Sequence, residues 1–261
     1  MSKFPSTIRE INSLPTAEKW EIYESIIPPH ILTDFEIDSN PDQEQPQVQY
    51  LCPKGSRAME LSVKRASADR DPIMYLNMAD TFNNQILVLL VVVNDPDSER
   101  YDVDIDTQGN PTNYGTSSRN IPAEISALQA GLAPGQIRQG LRAFRRSVPI
   151  FEGFIENMGH DMFMIEPLAY HNAIVFERYG FNYVRGLADM KFIHNNFLPD
   201  GEYYQRLNNE NPFRKESFWN SIRGRSWAIH DGLLGHPYTG FQMYKRIYRD
   251  AGIETFPDAT W

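Results

Sequence analysis

The sequence predicts an α+β fold, with a mixed, mostly antiparallel sheet flanked by helices. Two features predict strands: apolar and polar residues alternate over residues 58–65, and residues 86–93 form an uninterrupted apolar run. A third feature predicts a long helix, because apolar side chains recur at steps of three and four residues between Ile137 and Ile155. We interpret the chain of 261 residues as a single domain, residues 1–261.

The first predicted element is an N-terminal helical segment over residues 5–30. Trp20, Tyr23 and Ile27 recur at helical spacing, and the two prolines that follow should end the helix. The acidic stretch at residues 34–56 is typical of an exposed loop.

The next part of the chain is rich in strand signals. Residues 58–65 predict a half-buried strand, and residues 72–78 a second one. The apolar run at residues 86–93 is typical of a central strand, and we expect it to form an antiparallel hairpin with residues 101–106. Residues 107–122 are rich in Gly, Pro, Asn and Ser, which predicts a surface loop.

The second half of the chain alternates helix and strand signals. We predict helices over residues 122–132, 134–159 and 169–180, and strands over residues 161–168, 181–186 and 190–197. Pro149 should kink the long helix, and Gly180 should end the last of the three. The aromatic-rich residues 201–252 predict a helical C-terminal extension.

Composition narrows the function classes. The longest apolar run is too short to span a bilayer as a helix, and the N-terminal residues lack the apolar core of a signal peptide. Cys52 is the single cysteine, so no internal disulfide is possible. We expect a cytoplasmic protein. The net charge is −9, and no domain of the chain is basic. Both observations argue against nucleic acid and anionic membranes as partners.

The segment VFERYGFNYV, residues 175–184, points to a family. It has an aromatic, an acidic and a basic residue on a predicted helix, followed by Gly-Phe and a predicted strand. This order resembles the C-terminal motif of the GNAT (Gcn5-related N-acetyltransferase) superfamily. The resemblance implies a GNAT-like core over about residues 57–198, in which two neighbouring strands part and hold an acyl-CoA. It implies an acyltransferase that moves an acyl group from a CoA or carrier thioester to an amine. The partners would be a small-molecule thioester and an amine acceptor.

A phosphate site is expected at the start of the predicted long helix. Helix N-termini attract phosphate, Gly135 would allow a close approach, and Arg138 lies nearby. The resemblance adds Gln136, Gly140 and Asn172 as cofactor-binding candidates, with acetyl-CoA or another acyl-CoA as the cofactor. The glycines stand at spacings that differ from the family pattern. The alternative is an ordinary amphipathic helix with solvated arginines.

The candidate catalytic residues are Glu166, Tyr170 and His171. Glu166 lies near the end of a predicted strand, and the other two begin the next predicted helix. Acyl transfer to an amine needs a base for the amine proton and a proton donor for the thiolate. The alternative interpretation gives Glu166 a helix-terminal role and places His171 at the surface.

Two other classes of function stay open. Phe176 stands where the family often has a tyrosine acid, which favours a non-catalytic binding or assembly protein with a degenerate GNAT-like fold. A metal-dependent enzyme could use His230 or His160, although neither belongs to a compact metal signature. We predict no metal site. The C-terminal aromatics are typical of a core or of a homodimer interface.

Overall fold

A computed structural model describes residues 3–40, 43–112 and 117–261. The chain divides into two compact units. Unit 1 comprises residues 1–97, 140–166 and 244–250, and unit 2 comprises residues 98–139, 167–243 and 251–261. The strands are β1 Val48–Leu51, β2 Ala58–Val63, β3 Met74–Asp80, β4 Ile86–Val93, β5 Met162–Ile165, β6 Asn182–Arg185 and β7 Gln242–Arg246.

The helices of the described residues are mostly short. They are α1 Ile8–Ser13, α2 Thr16–Glu24, α3 Pro29–Asp34, α4 Ile121–Gln129, α5 Phe144–Asn157, α6 Tyr170–Arg178, α7 Leu187–Phe197, α8 Glu202–Gln205 and α9 Ile222–His230. A 3₁₀ helix, Glu216–Asn220, precedes α9.

The strands form one mixed sheet in the order β1-β2-β3-β4-β5-β7-β6. The pairs β1–β2, β2–β3 and β3–β4 are antiparallel, whereas β4 and β5 are parallel. The predicted fold class is therefore confirmed: the protein is α+β, with a mostly antiparallel mixed sheet and flanking helices, consistent with a GNAT-like fold. The single-domain prediction stays a prediction.

Side-chain alternation explains the strands of unit 1. In β2, Met59, Leu61 and Val63 are buried while the residues between them are half-buried, as a period of two requires. The same alternation runs through β3. Strands β2 and β3 form where the alternating sequence predicts them, because one face of each strand is apolar and packs on the core.

The predicted N-terminal helical segment folds as three short helices, α1, α2 and α3. The Thr7 hydroxyl caps α1, and the Asp80 carboxylate accepts hydrogen bonds from the Ile8 and Arg9 amides at 2.7 and 2.9 Å. Pro28 and Pro29 do end the helical run after α2, as predicted. Pro29 also begins α3, because proline suits the first turn of a helix.

Unit 2 has its own apolar core around Trp227. The indole is fully buried, packs against the Phe213 ring at 5.3 Å, and donates from Nε1 to the Leu132 carbonyl at 2.8 Å. Val103 and Ala127 complete this core. The predicted helix at residues 122–132 is confirmed as α4.

Four sequence predictions are wrong in their extent or type. Residues 34–56 include the edge strand β1 as well as loop. Residues 101–106 form turns and one isolated bridge, Ile105 to Pro111, and do not pair with β4. Residues 190–197 belong to α7. The C-terminal extension ends in β7, so it is only partly helical. Part of the predicted loop at residues 107–122, namely residues 113–116, lies outside the described residues.

The predicted long helix over residues 134–159 is also wrong in its first ten residues. Helix α5 begins at Phe144, and residues 134–143 form turns. Gly135 adopts a φ of 80° and Arg142 a φ of 53°, values that no α-helix accommodates. Pro149 lies inside α5, as predicted.

Candidate functional site

A distinctive backbone feature of unit 1 is the short register between β4 and β5. Their parallel register has two residue pairs, Leu87 with Met164 and Val88 with Ile165. After Val88 the strand β4 continues for five residues, through Val93, without a registered partner in β5. Beyond Val88, no strand of the described residues pairs with this edge of β4.

A bulge in β4 lies close to the end of this register. On the side of β3, Asn77 pairs with Leu90 while Met78 pairs with Val88, so Leu89 is an extra residue. A bulge bends the strand and increases its local twist. The bulge lies next to the last residue of β4 that pairs with β5, and residues 89–93 are half-buried despite being wholly apolar.

The loop before α5 closes in on the end of β4. A Cβ atom on Gly140 would lie 3.3 Å from the carbonyl oxygen of Val93, so a glycine suits this approach. Helix α5 starts four residues later, at Phe144, with Ala143 as its N-cap, and the described side chains give it no capping hydrogen bond. Arg142, Arg145 and Arg146 surround this helix start and are all exposed. Their charges and the helix dipole together favour an anion.

The other predicted phosphate-site residues do not lie at a helix N-terminus. Gln136 accepts the Ala133 amide at 2.7 Å through its side chain, and Arg138 donates to the Ser98 carbonyl. Both belong, with Gly135, to a turn region of unit 2. The physical basis for predicting a phosphate at Gly135 and Arg138 therefore fails, because no helix starts there.

The predicted catalytic residues fall into different surroundings. Glu166 is half-buried and follows directly after β5, at the end of a segment of unit 1. Tyr170 and His171 begin α6 in unit 2, and both are buried. In this conformation neither Tyr170 nor His171 is open to a substrate.

Tyr170 contacts a buried arginine. Its hydroxyl accepts a hydrogen bond from Nη1 of Arg225 at 3.4 Å. Burial raises the pKa of Tyr170 to about 12, although Arg225 opposes that shift. The phenol is therefore neutral near pH 7 and retains its proton.

His171 pairs with a buried serine. Its Nδ1 lies 2.8 Å from Oγ of Ser226, and burial lowers the pKa of the imidazole to about 4, with His230 adding to the effect. A histidine that stays neutral down to this pH is a poor general base at pH 7 because it binds a proton weakly. It is not a surface residue.

The segment VFERYGF, residues 175–181, forms hydrogen bonds with the C-terminal residues of unit 2. Phe176 and Phe181 pack with ring centroids 5.3 Å apart, and Gly180 ends the helix with a φ of 78°. The Glu177 carboxylate accepts the Thr255 amide and hydroxyl, each at 2.7 Å, and the Tyr183 hydroxyl. The acidic residue of the segment therefore has a structural role within unit 2.

Asn172 and the candidate metal residues have ordinary surroundings. Asn172 is half-buried in the first turn of α6, and its amide donates to the Ala169 carbonyl. His230 bonds to Glu124 at 3.2 Å, and His160 to the Ser6 carbonyl at 2.6 Å. In the part of the chain that the structure describes, no three metal-binding side chains come together.

Sequence reasoning missed two parts of this site. The bulge at Leu89 has no signal in an apolar run, where every residue suits a strand. The arginines at the start of α5 are visible in the sequence, but their importance depends on where the helix begins. The unusual φ of Arg142 ends the turn region, and no sequence rule predicts it.

Comparison of this chain with family models, curated proteins and solved structures found no match. Among the described residues, no helix is both long and apolar enough to cross a membrane.

Proposed function

We propose that the protein is a GNAT-like acyltransferase, which moves an acyl group from a CoA or carrier thioester to an amine. The observation that carries the proposal is that the register of β4 with β5 ends at Val88 and Ile165, while β4 continues to Val93. Open backbone groups on β4 can hydrogen-bond an extended amide-bearing chain, as one strand pairs with another. The pantetheine arm of CoA is such a chain.

The phosphates of CoA would lie at the start of α5. Gly140 permits a close backbone approach there, and Arg142, Arg145 and Arg146 supply positive charge. Gly140 is thus retained from the predicted cofactor residues, and the arginines replace Gly135, Gln136 and Arg138. Asn172 stays an untested prediction.

The chemistry needs one base. The amine nitrogen attacks the thioester carbonyl, a C–N bond forms, and the C–S bond breaks. Glu166 is the candidate that takes the amine proton, because it is only half-buried and follows β5 directly. The departing thiolate takes up a proton and leaves as the free thiol. Most of the rate enhancement would come from positioning.

Calorimetric titration with acetyl-CoA tests the proposal. We expect binding by the wild-type chain and at least tenfold weaker binding by the Arg145→Ala/Arg146→Ala double variant, since two charges near the phosphates are lost. Lys54→Ala, which removes an exposed cation elsewhere in unit 1, is the matched control and should bind normally. An absence of binding by the wild-type chain to acetyl-CoA and to longer acyl-CoAs would refute the acyltransferase.

A non-catalytic binding protein is the second candidate. The burial of Tyr170 and His171 favours it, because a proton donor for the thiolate then has to come from elsewhere. Release of free thiol from acetyl-CoA, assayed with a panel of primary amines, separates the two candidates. Turnover that falls on Glu166→Gln supports the enzyme, whereas tight binding without turnover supports the binding protein.

A further inference from the structure

Arg225 is a buried cation in the interior of unit 2. It lies on α9, and its residue exposure is 0%. Its Nε donates to the Trp219 carbonyl at 2.6 Å, and its Nη1 lies 3.1 Å from Nδ1 of His194 and 3.4 Å from the Tyr170 hydroxyl. Nη2 is buried and has no hydrogen-bond partner among the described residues.

The neighbours of Arg225 supply no negative charge. The guanidinium carbon lies 3.5 Å from the centroid of the Phe256 ring and 5.0 Å from that of Phe197. Aromatic faces attract a cation, but they do not neutralise it. In the described part of the chain no carboxylate pairs with Arg225, although buried charges in proteins are normally paired.

The polar neighbours are neutral as well. Nδ1 of His194 accepts a hydrogen bond from Arg225, so it carries a lone pair, and burial together with Arg225 lowers the pKa of that imidazole. Tyr170 accepts from Nη1 and keeps its own proton, which can be donated onward. Among the described residues, the cluster has one positive charge and two donors without an acceptor, Nη2 of Arg225 and the Tyr170 hydroxyl. The Glu177 carboxylate is near enough to add to burial in raising the pKa of Tyr170, but it does not pair with Arg225.

The C-terminal segment, residues 251–261, covers this cluster. Phe256 lies on the guanidinium, Thr255 bonds to Glu177, and the Thr260 carbonyl accepts the Ile222 amide. In this segment only Thr255 and Phe256 are buried. The segment is also held by the Ala251 amide on the Gly180 carbonyl and by Arg178 on the Ala259 carbonyl, so local opening breaks these bonds while the core around Trp227 stays folded.

We propose that Arg225 anchors a binding site for a small-molecule carboxylate, which enters when the C-terminal segment opens. The carboxylate accepts hydrogen bonds from Nη2 of Arg225 and from the Tyr170 hydroxyl. A single carboxylate balances the single positive charge, whereas a phosphate dianion leaves an excess negative charge in a buried site. The site is independent of acyl-CoA binding in unit 1.

Thermal unfolding of the full chain in a carboxylate-free buffer tests the proposal. Sodium acetate and sodium benzoate are added in turn, with sodium chloride at equal ionic strength as the reference. We expect a carboxylate to raise the melting temperature by about 5 °C more than chloride when the site is near saturation. Equal shifts with chloride and with both carboxylates would overturn the proposal.

Two variants connect the shift to the site. Arg225→Met should abolish the carboxylate-specific shift, while Arg223→Met, which removes a half-buried arginine from the same helix, should retain it. If Arg225→Met does not fold, Phe256→Ala serves as the test. This variant removes the ring that covers Arg225, so the acetate concentration that gives half of the maximal shift in melting temperature should fall several-fold. An unchanged concentration in Phe256→Ala, or a retained shift in folded Arg225→Met, contradicts the proposal.

Discussion

Units 1 and 2 are stabilised in different ways. The sheet of unit 1 buries apolar side chains at alternate positions, as Met59 and Leu61 do in β2. Among the described residues, unit 1 also buries the charged pair Glu152 and Lys245, 3.4 Å apart, whereas unit 2 buries Glu124, Glu177 and an Arg225 that no carboxylate pairs with. Apolar burial tolerates sequence change of similar volume, whereas a buried charge depends on particular partners. Unit 2 should therefore be the more sensitive to single polar substitutions and to pH.

The largest expected effect is the loss of apolar packing in unit 1. Leu61→Ala removes a side chain with 0% exposure, and we expect a loss of about 4 kcal/mol in the free energy of unfolding. Urea unfolding measures it. Ser62→Ala, on the opposite face of β2, is the control and should change stability by less than about 0.5 kcal/mol. Equal effects would mean that β2 does not present one face to a core.

The next effect tests the buried carboxylate of unit 2. Burial raises the pKa of Glu177, yet its carboxylate accepts three hydrogen bonds from Thr255 and Tyr183. Glu177→Ala leaves these buried donors unsatisfied, so we expect a loss of about 3 kcal/mol and faster amide exchange at Thr255. Glu254→Ala, which removes an exposed carboxylate nearby in the sequence, should have little effect. Slow exchange at Thr255 in Glu177→Ala would show that the carboxylate does not hold the C-terminal segment.

The pH dependence of unit 2 gives a smaller effect. The pKa of His171 is about 4 in the folded protein and about 6.5 when unfolded, so the unfolded chain binds the proton more strongly. The stability from this group is fully present above pH 6.5 and is lost as the pH falls towards 4. Between pH 7.5 and 5 the loss should be about 2 kcal/mol.

The variant His171→Asn removes that titration. Its urea midpoint should change less than that of the wild-type chain over the same pH interval, measured under otherwise identical conditions. A wild-type midpoint that rises as the pH falls would contradict the sign of the prediction.

The two units also differ in how well the sequence predicts them. The strands β2, β3 and β4 follow from local alternation and apolar runs, which are visible within a few residues. The partners in unit 2 are far apart in the chain: Arg225 with Tyr170, and Glu177 with Thr255. Single-sequence reasoning has no means of pairing such distant groups, so it placed His171 at the surface in one interpretation.

The candidate site was predictable only in part. The sequence resemblance implied two strands that part around an acyl-CoA, which stays a prediction. The structure shows a short register between β4 and β5, with β4 extending five residues beyond it. The predicted start of the long helix was wrong, because the helical spacing from Ile137 onward suggested a helix from residue 134, whereas α5 begins at Phe144. Sequence periodicity shows which face of a helix is apolar, but it does not show where the helix begins. The start of α5 follows Arg142, whose backbone φ of 53° depends on tertiary contacts.

Hydrogen exchange of the β4 backbone, with and without acetyl-CoA, tests the central claim most directly. The amides of residues 89–93 that point away from β3 should exchange quickly in the free protein and become protected when acetyl-CoA binds, because its pantetheine arm then pairs with them. The amides of β2 serve as the internal reference and should not change. Unaltered exchange over residues 89–93 at saturating acetyl-CoA would contradict the account.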